Sequence, residues 1–134
     1  MLLAIPSVSG VMADRRLQRS LTAMNELVHR AQEHSVRERR PYLLVWEKEA
    51  IVLRPEAVEK GDDAPVAQLA LDRAHNFALR LPAALQKDAP RQWIFWPSGI
   101  CEPAHVSFRG ADGAWEVNYA PLTARPEIVR YAAK

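Results

Sequence analysis

Two groups of side chains in this 134-residue chain are of the types that chemistry uses. Glu26, His29, Glu33 and His34 recur at spacings that a helix would stack on one side, where imidazoles and carboxylates could share a metal ion. "SGICEPAH" sets Ser98, Cys101 and His105 within eight residues, a nucleophile and a base if folding brought them within hydrogen-bond reach. Both groups have a plainer reading. The helical one is interleaved with Arg30 and Arg37, so it reads as a solvated face laced by i,i+4 pairs such as Glu26 with Arg30 and Glu33 with Arg37. Cys101 falls between Gly99 and Pro103 in what reads as a strand connection, and a partly buried or idle thiol is expected there. As the lone cysteine it excludes an intramolecular disulfide and a multi-cysteine zinc site, and leaves open a pairing with another chain. The sequence holds no phosphate-binding glycine loop, zinc spacing or paired-carboxylate pattern. It is therefore expected to be no enzyme and to need no cofactor and no metal.

Composition suits a globular chain with a core rather than a disordered one. Hydrophobic residues make up 49% and charged residues 25%, enough for a real core in one domain spanning residues 1–134. The net charge of +2 argues against a dedicated nucleic-acid binder, but the charge is unevenly placed. Seven arginines between Arg15 and Arg40 face only Glu26, Glu33 and Glu38, whereas the stretch from Glu47 to Asp63 is acidic. Basic residues return at Arg125, Arg130 and Lys134.

The elements that position these residues follow from periodicity. From about Ser7 to Arg40 the chain reads as one long helix, with Leu17, Leu21, Met24, Val28 and Ala31 on one face. Pro41 ends it, because a residue before proline is pushed out of helical geometry. Such a helix is too long to be covered by the remaining residues, so its early part should protrude or pack on another molecule. Short apolar runs follow. "YLLVW" and "AIVLR" flank Glu47, Lys48 and Glu49 as a hairpin, and Pro55 to Pro65 reads as an exposed acidic loop. "NFALRL", "WIFW", "HVSFR", "WEVNY" and "EIVRY" complete an α+β architecture: residues 1–40 as helix, and 41–134 as an antiparallel β domain of six or so strands. Trp46, Trp93, Trp96 and Trp115 could stack on bases or sugars, but their apolar surroundings favour core packing. Trp93 and Trp96 fall on opposite faces of one strand, so at least one should lie off the core. The opening "LLAIPS" is too short to span a bilayer and lacks the flanks of a secretory signal.

Two stretches carry a resemblance. "LLAIPSVSGVMADRRLQRSLTAMNELVHRAQEHSVRERRPYLLVW" leads from a greasy start through proline into an arginine-bearing helix and then a strand. "WIFWPSGICEPAHVSFRGADGAWEVNYAPLTARPEI" joins an aromatic strand, Pro97 and Gly99, a hairpin, and a closing Leu122, Thr123 and Arg125. Together they resemble the GspH family of minor pseudopilins of type II secretion, with the FimT and FimU relatives of type IV pili. The resemblance implies a pilin-like fold and a structural role near the tip of a pseudopilus. It implies a single-pass anchor in the bacterial inner membrane, with the β domain in the periplasm. The partners it implies are other major and minor pseudopilins and the inner-membrane assembly platform. On this reading "LLAI" is the last turn of a membrane helix, Pro6 its kink, and Met1 an artificial start, since the family's glycine cleavage site, Phe-Thr-Leu and glutamate are absent. Leu17, Leu21, Met24 and Val28 are expected to dock the helix on the β domain. Arg15, Arg16 and Arg19 are expected to contact neighbouring subunits or lipid headgroups. The alternative is a DNA-binding minor pilin that uses Arg125, Arg130 and Lys134. It is weakened by Ala124, where the family usually has glycine before the arginine. A cytosolic domain whose helix dimerises is a third reading, and it requires Met1 to be the native start.

Overall fold

The computed structural model describes residues 8–62, 64–84 and 90–134. The readings placed on "LLAI", Pro6 and Ser7 lie outside the described residues. A helix, α1 (Val8–Glu38), precedes eight strands: β1 (Tyr42–Trp46), β2 (Ala50–Pro55), β3 (Ala67–Ala70), β4 (Asn76–Arg80), β5 (Gln92–Phe95), β6 (Ala104–Gly110), β7 (Gly113–Tyr119) and β8 (Pro126–Ala133). At 1.5 Å per residue the 31 residues of α1 span about 46 Å. Its end is set by Arg39, which turns into the left-handed region at φ 55°, and by Pro41 beyond it. No helix among the described residues is long and apolar enough to cross a membrane.

The strands form two antiparallel sheets in the orders β3-β2-β1-β5 and β4-β6-β7-β8. The three-residue connection at Glu47 to Glu49 closes the β1–β2 hairpin, pairing Leu44 with Leu53. In the second sheet Leu79 pairs with Val106, and Val106 with Val117. Alternation then sends Trp115, Val117 and Tyr119 to the core and Glu116 and Asn118 outward. Where six or so strands were expected there are eight among the described residues. β3 ("AQLA") has no counterpart among the apolar runs, because its residues are half-exposed and none is β-branched.

Helix α1 packs against strands of both sheets and closes the space between them. Leu17, Leu21, Met24, Val28 and Ala31 are buried, and so is Leu27, which lies outside the stripe read from the sequence. Two sheets flanking one helix widen the face that must be apolar. An aromatic cluster fills the second sheet's inner face: Phe77 against Phe108 at 4.8 Å and Phe108 stacked on Trp115 at 5.5 Å between centroids. Trp93 and Trp115 are fully buried, and Trp96, on the other face from Trp93, is exposed.

The upper end of the helix is clamped by charge. The Glu38 carboxylate accepts the Tyr42 hydroxyl at 2.6 Å, lies 2.8 Å from His34 Nδ1, and accepts the Arg40 guanidinium at 2.9 Å. Arg40 also reaches Asp62 at 2.9 Å, tying down the acidic loop. The donors around Glu38, Tyr42 first and His34 next, hold its carboxyl at about 2. A carboxylate with a depressed folded-state pKa adds stability above its unfolded pKa and loses it as pH falls through the folded value. Glu38→Gln should therefore cost about 1 kcal/mol at neutral pH, the partial exposure of the site keeping it modest. That deficit should shrink as pH falls toward 2, read by urea denaturation across the acid range.

At the lower end Gly113 adopts φ +141°, and an added Cβ would stand 2.3 Å from the Ala132 carbonyl oxygen and 2.9 Å from Leu17 Cδ2. Gly113→Ala should destabilise by about 3 kcal/mol, through forced movement of β8 and the helix, measured by thermal unfolding.

Candidate assembly surface

The reactive-looking side chains are taken up in local pairings. On α1, His29 Nε2 lies 3.5 Å from Glu33, Arg37 lies 3.3 Å from Glu33, and His34 lies 2.8 Å from Glu38. Among the described residues no group of three His, Cys, Asp or Glu side chains is placed to hold a metal ion. Cys101 is buried, its Sγ 3.6 Å from the Ala120 carbonyl oxygen, and burial pushes the thiol up to about 11. A thiol held protonated is a poor nucleophile. His105 belongs to the outer face of β6, between inward Ala104 and Val106. Its Nδ1 lies 2.7 Å from Asn118 Oδ1 and its Nε2 3.1 Å from Glu116 Oε1. Both ring nitrogens are thus engaged across the β6–β7 ladder, and the fold does not bring His105 to Cys101 as a base.

What the structure builds is a helix fastened along its length. Arg16 grips Asp112 through two contacts of 3.0 and 2.8 Å, and the Tyr131 hydroxyl donates to Asp14 at 2.9 Å. The Trp115 indole donates to Ser20 Oγ at 2.9 Å, and the Tyr119 hydroxyl to Asn25 Oδ1 at 2.6 Å. Gln32 Nε2 donates to the carbonyls of Gly99 and Thr123, each at 3.0 Å. A buried aromatic with a polar tip needs such an acceptor, so the strand aromatics select polar residues on the rim of the helical stripe. The pattern of Ser20, Asn25 and Gln32 edging that stripe is the only trace of these ties in the sequence.

The three helix arginines singled out from the sequence separate in space. Arg16 stays exposed but reaches across to Asp112, where it holds that carboxyl below the usual carboxylate range. Arg15 and Arg19 stay on the open side of the helix, beside Gln18, Thr22, Ala23 and Glu26. Arg125, Arg130 and Lys134 are all exposed, but they lie on, or immediately beside, a single strand. At about 3.3 Å per residue they are strung over roughly 30 Å. Arg130 stands opposite Glu116 in the register, and the Lys134 N–H bonds the Asp112 carbonyl at the β6–β7 turn. They do not form one cationic patch.

Ala124 precedes this strand with φ 56°, buried, its N–H on the Ala120 carbonyl at 2.7 Å. Left-handed backbone costs a residue with a Cβ about 1 kcal/mol relative to glycine. Ala124→Gly should therefore raise stability by no more than about 0.5 kcal/mol, the loss of the buried methyl and the freer unfolded chain offsetting most of the gain. Chemical denaturation of the two chains checks it.

No protein-family model and no curated protein matches this sequence. Solved structures do match. The type IV minor pilin FimU of Pseudomonas aeruginosa superposes with a TM-score of 0.62, at 15% identity over 87% of this chain and 90% of that one. The minor pseudopilin EpsH from the type 2 secretion system of Vibrio cholerae superposes with a TM-score of 0.60, at 14% identity over 84% of this chain and 95% of that one. A second crystal form of FimU gives 0.60 over 84% of this chain. At these identities the likeness is one of fold, and the fold is the pilin-like one shared by minor pilins and minor pseudopilins.

Proposed function

We propose, for a chain with the fold of the minor pilins and pseudopilins, that it is a structural subunit of a type II secretion pseudopilus and not an enzyme. The observation that carries this reading is the asymmetry of α1. Its apolar stripe from Leu17 to Ala31 is buried against the β domain, while Val11 and Met12, at its start, are left exposed. A helix built this way is fixed in direction at one end and offers an apolar end to another environment. In the precursor that environment is the bacterial inner membrane, crossed once, with the β domain in the periplasm. After assembly it is the centre of a filament, and exchange between the two is feasible because both are apolar. Leu17, Leu21, Met24 and Val28 hold the helix to the domain, and Arg15, Arg16 and Arg19 lie where the domain meets its surroundings. The partners are other pseudopilins and the inner-membrane assembly platform.

The reading as a DNA-binding minor pilin is less well supported. Arg125, Arg130 and Lys134 are strung along one strand, with Arg130 opposite an acid. So few separated phosphate contacts would bind DNA weakly and with steep salt sensitivity. Deletion of the gene, with complementation, separates the two readings: loss of protein export is expected, and export left intact with DNA uptake lost would replace this reading by the pilus one. Mass spectrometry of the protein from native membranes should show a longer mature chain that starts with an N-methylated residue ahead of an apolar run. A native chain starting at Met1 would remove the membrane anchor and the filament role with it.

A further inference from the structure

We propose that the end of the domain from which α1 emerges binds an anionic bilayer surface, with Arg15, Arg109 and Lys134 seated on lipid phosphates and Val11 and Met12 entering the interface. The proposal rests on the membrane-anchored reading and names the partner of its Arg15 site.

Contacts on the β6–β7 turn bring these residues to one end. Asp112, in that turn, receives the Arg16 guanidinium from the helix and, on its carbonyl oxygen, the Lys134 N–H at 3.0 Å from the end of β8. Arg109 stands in the last turn-proximal pairs of the same hairpin, opposite Ala114 and next to Gly110 and Gly113. Tyr131 on β8 reaches Asp14, which places the first turns of α1 at the same level. Arg15 follows Asp14 on the open side of the helix.

Of the two acids at this end, Asp112 is matched by the Arg16 charge, and Asp14 keeps its own charge while accepting neutral donors. Both Asp112 oxygens serve Arg16, while Asp14 takes the Tyr131 hydroxyl at 2.9 Å and the Gln18 amide at 3.3 Å. On the neighbouring flank, where the β1–β2 and β3–β4 turns meet, Lys48 and Arg73 are balanced by Glu49 and Asp72. Arg15, Arg109 and Lys134 therefore outnumber the one unmatched acid, Asp14, and the side-chain charge balance at the helix exit is positive. Below it, Val11 and Met12 are 42% and 47% exposed, and in the sequence the apolar Leu2, Leu3 and Ile5 precede them. Cations around an apolar post match the layering of a bilayer, phosphates outside and hydrocarbon within. Arginine adds the bidentate geometry that phosphate oxygens favour.

Height along the helix ranks the contributions. Arg19 is about 6 Å above Arg15 and Arg30 about 22 Å above it. Screening acts over about 8 Å at physiological ionic strength, so Arg19 should matter less than Arg15, and Arg30 not at all.

The test is flotation of the chain with vesicles of phosphatidylcholine alone, or mixed with phosphatidylglycerol, at low and high salt. Binding is expected only to the mixed vesicles, and lost at high salt. Arg15→Gln and Arg109→Gln should each lower it about fivefold, a cation near an anionic surface being worth about that factor. Arg30→Gln should leave it unchanged, and circular dichroism shows that each variant is folded. Equal binding to both vesicle types, no binding to the mixed ones, or an equal effect of Arg30→Gln would overturn the proposal. So would Arg15→Gln and Arg109→Gln variants that float normally yet fail to support export, which would assign these arginines to a protein neighbour. None of these vesicle results touches the pseudopilus reading, which stands or falls on the native N-terminus and on export.

Discussion

The apolar stripe of α1 closing the gap between two sheets is the interaction on which the rest depends. Neither four-stranded sheet could stay folded with its inner face in water, and the helix alone would expose Leu17, Met24 and Val28. Fully burying such side chains contributes about 1.5–3 kcal/mol each, so the seam is a main source of the fold's stability. Polar ties then set the register of helix on sheet. A slide by one turn would leave Trp115 without Ser20 and Tyr119 without Asn25.

The two ends of the helix are fastened by different means. At the top, Glu38, Arg40, Tyr42 and Asp62 form one connected group that joins helix, first strand and acidic loop. At the bottom the ties are the exposed Arg16–Asp112 pair and the Tyr131–Asp14 hydrogen bond, backed by a glycine turn that lets β8 and Leu17 approach closely. Exposed ion pairs contribute little, so the first turns of α1 owe less to the β domain than the last ones do.

Much of this was legible in advance where one residue pattern forces one outcome. The stripe from Leu17 to Ala31 sends α1 to a core, and the alternation in "WEVNY" sends Trp115, Val117 and Tyr119 inward. Pro41 marks the end of α1, with Arg39 taking the left-handed turn before it. β3 was not legible, since "AQLA" has no strand signal of its own and pairs because β2 offers it an edge. Leu27 was missed because a stripe drawn for a single packing partner is narrower than one flanked by two sheets. The helix arginines could be read as a basic stretch, but not which of them pairs with the β domain.

What the sequence determined by itself is the order and type of the main elements and the face of the helix that is buried, because these depend on local periodicity and residue chemistry. Tertiary structure alone decided the division of the strands into two sheets, the pairing of Arg16 with Asp112, and the gathering of Arg15, Arg109 and Lys134 at the helix exit. Those outcomes join residues from opposite ends of the chain, and no local pattern encodes a contact that exists only once the strands between them have paired.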